Sequence, residues 1–335
     1  MRIGLLTTSF PRHAGDYAGS FVGDRAARLL EAGHSVEVLA AGDRASTTTE
    51  QRLVVRRLAA PGRLFYGEGA PEALERGGAI WLAAVEFTAR LAAAARASAA
   101  RWEAVEAHWL VPCALAGSAA APGLPRRAYA HSGDVALLER IPLGRAIARR
   151  LARDGTDLRF VSAALQARFA RLAGASAPVG TVEALEVPRA LFSPRAGADA
   201  RLRQRLAVGA PTVLAVGRLV PIKGHALLLH ACARAPRRAA GATPEVVILG
   251  EGPERSRLMR LAGALAVPLR LPGAVPRAEV ADWMRAADLF VHPSLRLPNG
   301  RTEGAPIAAR EASAVGIPVV ASSDLSVLAS AIGAL

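Results

Sequence analysis

The chain alternates short apolar runs with helical stretches, and the alternation begins at once. Ile3 to Thr8 is a short apolar run, followed by the turn-rich stretch Pro11 to Gly19. Val22, Ala26, Leu29 and Leu30 then recur on one face of a helix, Gly33 ends it, and Val36 to Ala40 reads as the next strand. Strand, loop, helix and strand of these lengths make a βαβ unit. Ala104 to Trp109, Arg127 to Ala130 and Leu158 to Val161 predict further buried strands. A second series follows at Thr212–Val216, Glu245–Leu249, Leu269–Leu271, Leu289–His292 and Ile317–Ala321, alternating with helices over Glu254–Ala264 and Arg277–Ala286. Both halves therefore read as α/β, doubly wound parallel sheets with helices on each face, and ligands of such sheets bind beyond the carboxyl ends of the strands. The join is expected at 188–209, where Pro188, Pro194, Gly197 and Gly209 cluster. That makes three parts: residues 1–187, the linker, and residues 210–335.

Composition fits this picture. A chain of 335 residues favours two domains, and 52% hydrophobic against 21% charged residues excludes disorder. Two cysteines, Cys113 and Cys232, lie far apart in apolar segments, which argues against a disulfide scaffold and for a reducing, cytoplasmic setting. The N-terminus has no secretory pattern. Ile80 to Ala100 carries Glu86, Arg90 and Arg96 and reads as an alanine-rich helix rather than a membrane span.

The net charge of +14 comes almost wholly from arginine, as a GC-rich coding bias would produce. It is also compatible with peripheral association with an anionic membrane at its inner face. Leu143, Ile147 and Leu151 share one helical face among Arg145, Arg149, Arg150 and Arg153; this predicts either a membrane-surface helix or a core-packed helix with a solvated basic face. Nucleic acid is not an expected partner, because no recognition helix or aromatic platform accompanies the charge. A nicotinamide enzyme would want glycines after the first strand, where Ser9-Phe10-Pro11 stands.

Candidate chemistry concentrates in the second half. Gly217-Arg218-Leu219-Val220-Pro221-Ile222-Lys223-Gly224 follows the strand Thr212–Val216 directly and holds the sole lysine of the chain. Two cations on a loop entering a helix suit a diphosphate. Glu303-Gly304-Ala305-Pro306, with Glu311 eight residues after Glu303, predicts a helix beginning at Pro306 whose N-terminus and flanking carboxylates suit phosphate and sugar hydroxyls.

Taken in order, Gly-Arg-x4-Lys, Gly250-Glu251-Gly252-Pro253, Pro293-Ser294, Glu-x7-Glu and Gly316-Ile317-Pro318-Val319-Val320-Ala321 resemble the donor domain of family 4 retaining glycosyltransferases of the GT-B fold. That fold has two Rossmann-like domains facing across a cleft. The resemblance is looser in the first half. Pro11 through Gly19-Ser20-Phe21-Val22 resembles the family's first glycine loop, with Gly19-Ser20 in place of paired glycines. Ala107-His108-Trp109 resembles a strand-end motif, and His131-Ser132-Gly133-Asp134 matches a His-x-x-Asp segment. Ala184 to Pro194 resembles the interdomain link, with Glu186 and Pro188 where the family has glycine and aspartate.

The resemblance implies transfer of a hexose-type sugar from a nucleotide diphosphate sugar to a glycan, lipid-linked or small-molecule acceptor, with retention of configuration. It implies no metal and no cofactor, the leaving phosphate itself helping to take the acceptor's proton, and domain closure to exclude water. Arg218, Lys223, Glu303 and His131 would be the catalytic set, with Glu303 and His131 on the donor sugar. Gly217, Gly250, Glu251, Gly252, Val275, Gly304, Ala305, Pro306 and Glu311 would bind the donor, Glu311 through the ribose and Leu271 to Val275 beside the base. Gly19, Ser20, His108 and Asp134 would lie on the acceptor side. Two alternatives stand beside this: a sugar-nucleotide-binding protein without turnover, and a GT-B sugar-nucleotide epimerase. After Ala321 the family continues through more of the donor domain; Ser322 to Leu335 does not resemble that continuation, so exposed sheet surface and reduced activity are expected.

Overall fold

The computed structural model describes the chain except residues 14, 61, 67–72, 75–76, 177–178, 195–198, 209–210, 237–243, 299 and 304–305, and the side chains of 62–63 and 199–200. It divides into two compact units, Met1–Leu185 and Glu186–Leu335.

The first unit is built on an eight-stranded sheet. Its strands are β1 (Arg2–Leu6), β2 (Ser35–Gly42), β3 (Ser46–Glu50), β4 (Leu53–Ala59), β5 (Ala104–His108), β6 (Arg126–Ala130), β7 (Asp157–Phe160) and β8 (Thr181–Val182). They lie in the order β3-β4-β2-β1-β5-β6-β7-β8, all parallel except β3 against β4. Leu5 and Leu6 of β1 are wholly buried, as expected of a strand covered on both faces. The helix Ser20–Glu31 buries Val22, Ala26 and Leu29, the stripe its spacing predicts. The order turns between β1 and β5, so the loops after those two strands flank the switch point.

The hairpin β3–β4 was not legible. Every residue of β3 is exposed, so Ser46 to Glu50 shows no apolar alternation. Arg56 and Arg57 interrupt β4, where Arg56 reaches Glu37 at 3.2 Å and Arg57 reaches the Phe10 carbonyl at 3.1 Å.

The helix Ala79–Ala99 buries Phe87, Leu91 and Ala95 and pairs Glu86 with Arg90 on its outer side at 2.5 Å. Among the described residues no helix is long and apolar enough to cross a membrane. The helix Gly144–Arg153 turns Ala148 and Leu151 into the core and leaves Leu143 exposed, so its apolar face is already occupied.

The second unit carries β9 (Thr212–Val216), β10 (Glu245–Leu249), β11 (Leu269–Gly273), β12 (Leu289–His292) and β13 (Val319–Ala321), all parallel, in the order β11-β10-β9-β12-β13. Side chains alternate along β9: Val213 and Ala215 pack with Leu228, Leu229 and Ile248, while Leu214 packs with Phe290, Trp283 and Met284 on the opposite face. The two-sided core explains why these strands read as unbroken apolar runs.

The Pro- and Gly-rich stretch expected as a linker is part of this unit, with Phe192 and Val208 in its core. Ser322 to Leu335 also folds into it. Asp324 caps the helix Leu325–Gly333, accepting from the Ser326 amide at 2.7 Å, and Leu328 and Ile332 are buried beside the helix His225–Arg234. Apolar surface expected to lie bare is covered there. Cys113 and Cys232 are buried free thiols, one in each unit.

Candidate functional site

In the second unit the order reverses between β9 and β12, and the sequence-predicted residues lie in the loops that leave those strands. The loop after β9 is shaped by a short turn, Pro221–Lys223, closed by Gly224 at φ 66°. A Cβ at Gly224 would sit 1.9 Å from the Pro293 carbonyl oxygen, so only glycine lets the β9 and β12 loops meet there. The Leu295 amide donates to the Ile222 carbonyl at 2.9 Å and ties the same two loops. The β9 loop is also tied to the β10 loop, Leu219 N–H donating to Glu251 O at 2.8 Å, and Gly250 N–H donates to Gly273 O of β11 at 2.8 Å. Gly217, Gly250, Glu251 and Gly252 thus share one edge of the sheet. Lys223 lies across Gly217, its Cδ and Cε 3.1 Å from where a Cβ would stand. Arg218 is half-buried in the same loop.

Glu303 is the hub of this edge. One oxygen pairs with Lys223 Nζ; the other lies 2.6 Å from His292 Nε2 and accepts from Ser294 Oγ at 2.7 Å. Burial pushes the Glu303 carboxyl up, but Lys223 and His292 outweigh it and hold the group well below the usual carboxylate range. Beneath the loop, His225 is buried and its Nε2 meets the Arg218 carbonyl at 3.2 Å. Burial first, and then the charge of Lys223, push His225 down to about 4.

The remaining donor candidates are placed differently. Pro306 caps the helix Ile307–Val315 rather than starting it. Glu311, buried in that helix, is paired with Arg277, whose guanidinium lies 5.2 Å over the Phe192 ring. Glu251 is exposed and meets Arg255 at 3.5 Å, and Val275 packs at the margin of the core. Gly304 and Ala305 lie outside the described residues. His292, Ser294, His225 and Arg277 were not singled out from sequence for a role. Pro293-Ser294 served only as a family marker, although a histidine and a serine flanking a proline at a strand's carboxyl end were the available signal.

The first unit gathers a second cluster at the β1/β5 switch. Gly19, at φ 71°, caps the helix Ser20–Glu31, and a Cβ there would stand 2.3 Å from the Ser9 carbonyl oxygen. Ser20 opens the helix and is half-buried. His108 is almost fully buried, and its Nδ1 lies 3.1 Å from His131 Nε2. Phe21 and Trp109 flank His131, with ring centroids at 4.8 and 4.7 Å. Trp109 and Ser132, at φ 85° and 106°, hold strained backbone at the ends of β5 and β6. Burial, and then His108, push His131 well below the ordinary histidine range.

Asp134, expected to face an acceptor, is buried and accepts from the amides of Leu110 at 2.9 Å, Ser132 at 3.0 Å, Val135 at 3.0 Å and His131 at 3.2 Å. Its work is to fix the two loops that carry Trp109 and His131. Among the described residues no group of three or more His, Cys, Asp or Glu side chains is arranged to hold a metal ion.

Two doubly wound parallel sheets, each with polar clusters at its switch point, are the architecture of the GT-B glycosyltransferases. Residues 199–334 match the family model for glycosyl transferases group 1. The match runs through the C-terminal helix, which corrects the expectation that Ser322 to Leu335 departs from the family.

The chain is 37% identical over 188 residues to the GDP-mannose-dependent alpha-(1-6)-phosphatidylinositol monomannoside mannosyltransferase of Mycobacterium tuberculosis H37Rv, covering 54% of this chain and 47% of that protein. Its counterpart in Mycolicibacterium smegmatis is 33% identical over 227 residues, 65% of this chain and 58% of the relative. The chain thus spans about half the length of the curated relatives it matches. Among solved structures, HepE of Anabaena with UDP and glucose aligns with a TM-score of 0.68 at 19% identity, covering all of this chain and 89% of that one. Sucrose-phosphate synthase of Thermosynechococcus elongatus aligns with 0.70 at 18% identity, covering 96% and 80%. At these identities the structures speak for the fold.

Proposed function

We propose that this chain transfers a hexose-type sugar from a nucleoside diphosphate sugar to a glycan, lipid-linked or small-molecule acceptor, with retention and without a metal. The observation that carries the proposal is the Lys223–Glu303–His292–Ser294 cluster at the β9/β12 switch point. A departing nucleoside diphosphate needs positive charge fixed in advance, and Arg218 and Lys223 stand in one loop tied to its neighbours by backbone hydrogen bonds. Glu303, kept ionised and held by three side chains, is oriented to accept from sugar hydroxyls. Glu311, fixed by Arg277, is the ribose carboxylate in this reading, and the leaving phosphate takes the acceptor's proton. Gly19, Ser20 and His108 are the acceptor-side candidates, and His131 meets a hydroxyl of the donor sugar. The GDP-mannose dependence named for the mycobacterial relatives makes GDP-mannose the first donor to try. The charge of +14 supports work beside an anionic membrane surface.

A thermal-shift panel of nucleotide sugars tests this. A donor at a hundredfold its Kd stabilises the folded state by about 2.7 kcal/mol, enough for a rise of several degrees. The expected pattern is one responding nucleotide sugar that is also consumed when an acceptor is supplied. No response from any member overturns the proposal. Response without turnover selects the binding-protein alternative, and epimerised donor selects the epimerase.

A further inference from the structure

The loop that follows β9 is closed from beneath by a residue to which the donor chemistry gives no part. His225 opens the helix His225–Arg234 and is almost fully buried. Its ring turns back to the residue seven places earlier, with Nε2 3.2 Å from the Arg218 carbonyl oxygen. A carbonyl only accepts, so Nε2 carries a proton and donates. The contact closes a segment of chain, Arg218 to His225, that contains both cations of the loop. The Arg218 carbonyl also accepts from the Val220 amide at 2.9 Å. The N–H of the same peptide unit, that of Leu219, donates to the Glu251 carbonyl at 2.8 Å. That planar unit is therefore held at both ends, between Arg218 and the turn Pro221–Lys223.

The rest of the ring works against the fold. His225 Nδ1 is buried with no hydrogen-bond partner among the described residues, an unfavourable state for an acceptor. Burial first and then the charge of Lys223 push the ring down to about 4, His292 adds to the effect, and the Arg218 and Gly217 carbonyls oppose it. A leucine in the same buried place would carry neither defect. Local choices that weaken a fold concentrate at functional sites, where one directed contact is worth the loss.

We infer that His225 is a positioning residue for the diphosphate: by holding the Arg218 carbonyl, its Nε2–H fixes Arg218 and Lys223 before the ligand arrives. The inference rests on the reading that these two cations meet the diphosphate of the donor. Charge fixed in advance needs no reorganisation when the anion binds, whereas a loop that can turn must first be ordered. A ring kept neutral adds no charge of its own beside Lys223, so its whole contribution is the direction of one N–H. Reach and donor therefore matter, and the imidazole as such does not. His225→Gln keeps an N–H at the reach of Nε2, His225→Leu fills the space with none, and the amide of His225→Asn stops at the reach of Nδ1.

Calorimetric titration of GDP into the full chain at pH 7.5, and of UDP where GDP gives no heat, tests this. His225→Gln is expected to bind within about threefold of wild type, and His225→Leu about tenfold more weakly, the worth of one directed hydrogen bond. In a Lys223→Ala background the loss caused by His225→Leu shrinks to about threefold or less, because one of the two groups it positions is gone. A merely structural histidine would give losses that add. Should His225→Leu not unfold cooperatively, His225→Asn takes its place with the same expectation. Wild-type affinity in His225→Leu, equal weakness in His225→Gln, or an undiminished loss in the Lys223→Ala background overturns the inference alone. Wild type that binds neither nucleotide overturns the transferase reading and the inference with it, so the two failures are told apart.

Discussion

Lys223→Ala lowers the rate of sugar transfer by about 10²–10³-fold, the loss that follows removal of one fixed group from the developing charge of a transition state. The effect falls on kcat more than on KM, because the diphosphate gains charge at its bridging oxygen only as it leaves. Part of the loss is indirect. Lys223 holds one oxygen of Glu303, whose carboxyl is kept ionised against burial by Lys223 and His292. Without the ammonium, that carboxyl rises towards its usual range and its grip on a sugar hydroxyl weakens. Lys223→Arg separates the two contributions. It restores a charge for Glu303, but a planar fork does not fit where a compact ammonium lies across Gly217, so activity returns only in part. Steady-state kinetics on the three proteins at fixed acceptor concentration checks this. Equal kcat in wild type and Lys223→Ala would remove the lysine from the chemistry.

Acid unfolding of the second unit begins well above the pH at which carboxylates titrate. His225 is buried, with burial and Lys223 pushing it down to about 4, so the folded chain resists a proton that the unfolded chain takes up near pH 6.5. For a group depressed in the folded state, stability is lost as pH falls from the unfolded value towards the folded one, because unfolding then absorbs the proton. The window is therefore about pH 6.5 to 4, and the loss across it is about 3 kcal/mol at the usual conversion of pKa into free energy. Glu303 acts lower down. Its stabilisation is complete above the ordinary carboxylate range and disappears only as pH falls towards its depressed value. Urea denaturation at pH 7.5, 6 and 5 should show the first slope in wild type and its absence in His225→Asn. Identical slopes in the two proteins would assign the acid sensitivity elsewhere.

What sequence could and could not convey follows from how each feature is made. β9, β10 and β12 lie where their apolar runs predict them, because strands covered on both faces show as unbroken hydrophobic segments. The hairpin β3–β4 stayed hidden because apolar alternation reports burial and its outer strand has none. The loop from Gly217 to Gly224 stood out through a single lysine in a chain that otherwise uses arginine. Its companions did not: His292 and Ser294 gain their meaning from Glu303, and nothing in a linear string ties a strand end to a residue in the next loop. The Arg25–Glu106 pair spans 81 positions along the chain, and only the adjacency of β1 and β5 brings it together. Asp134 was read for its neighbours in a family motif, whereas its carboxylate is taken up by backbone amides.

In the proposed function Arg218 and Lys223 hold the pyrophosphate of an activated sugar. Calorimetric titration of the free nucleoside diphosphate into wild type and into the Arg218→Ala/Lys223→Ala double variant, with GDP first and UDP second, tests it without any acceptor. The account predicts measurable binding in wild type that weakens as salt rises, and a loss of at least about a hundredfold in affinity in the double variant, near 2.7 kcal/mol, with its thermal unfolding still cooperative. Equal affinity in the two folded proteins would contradict it.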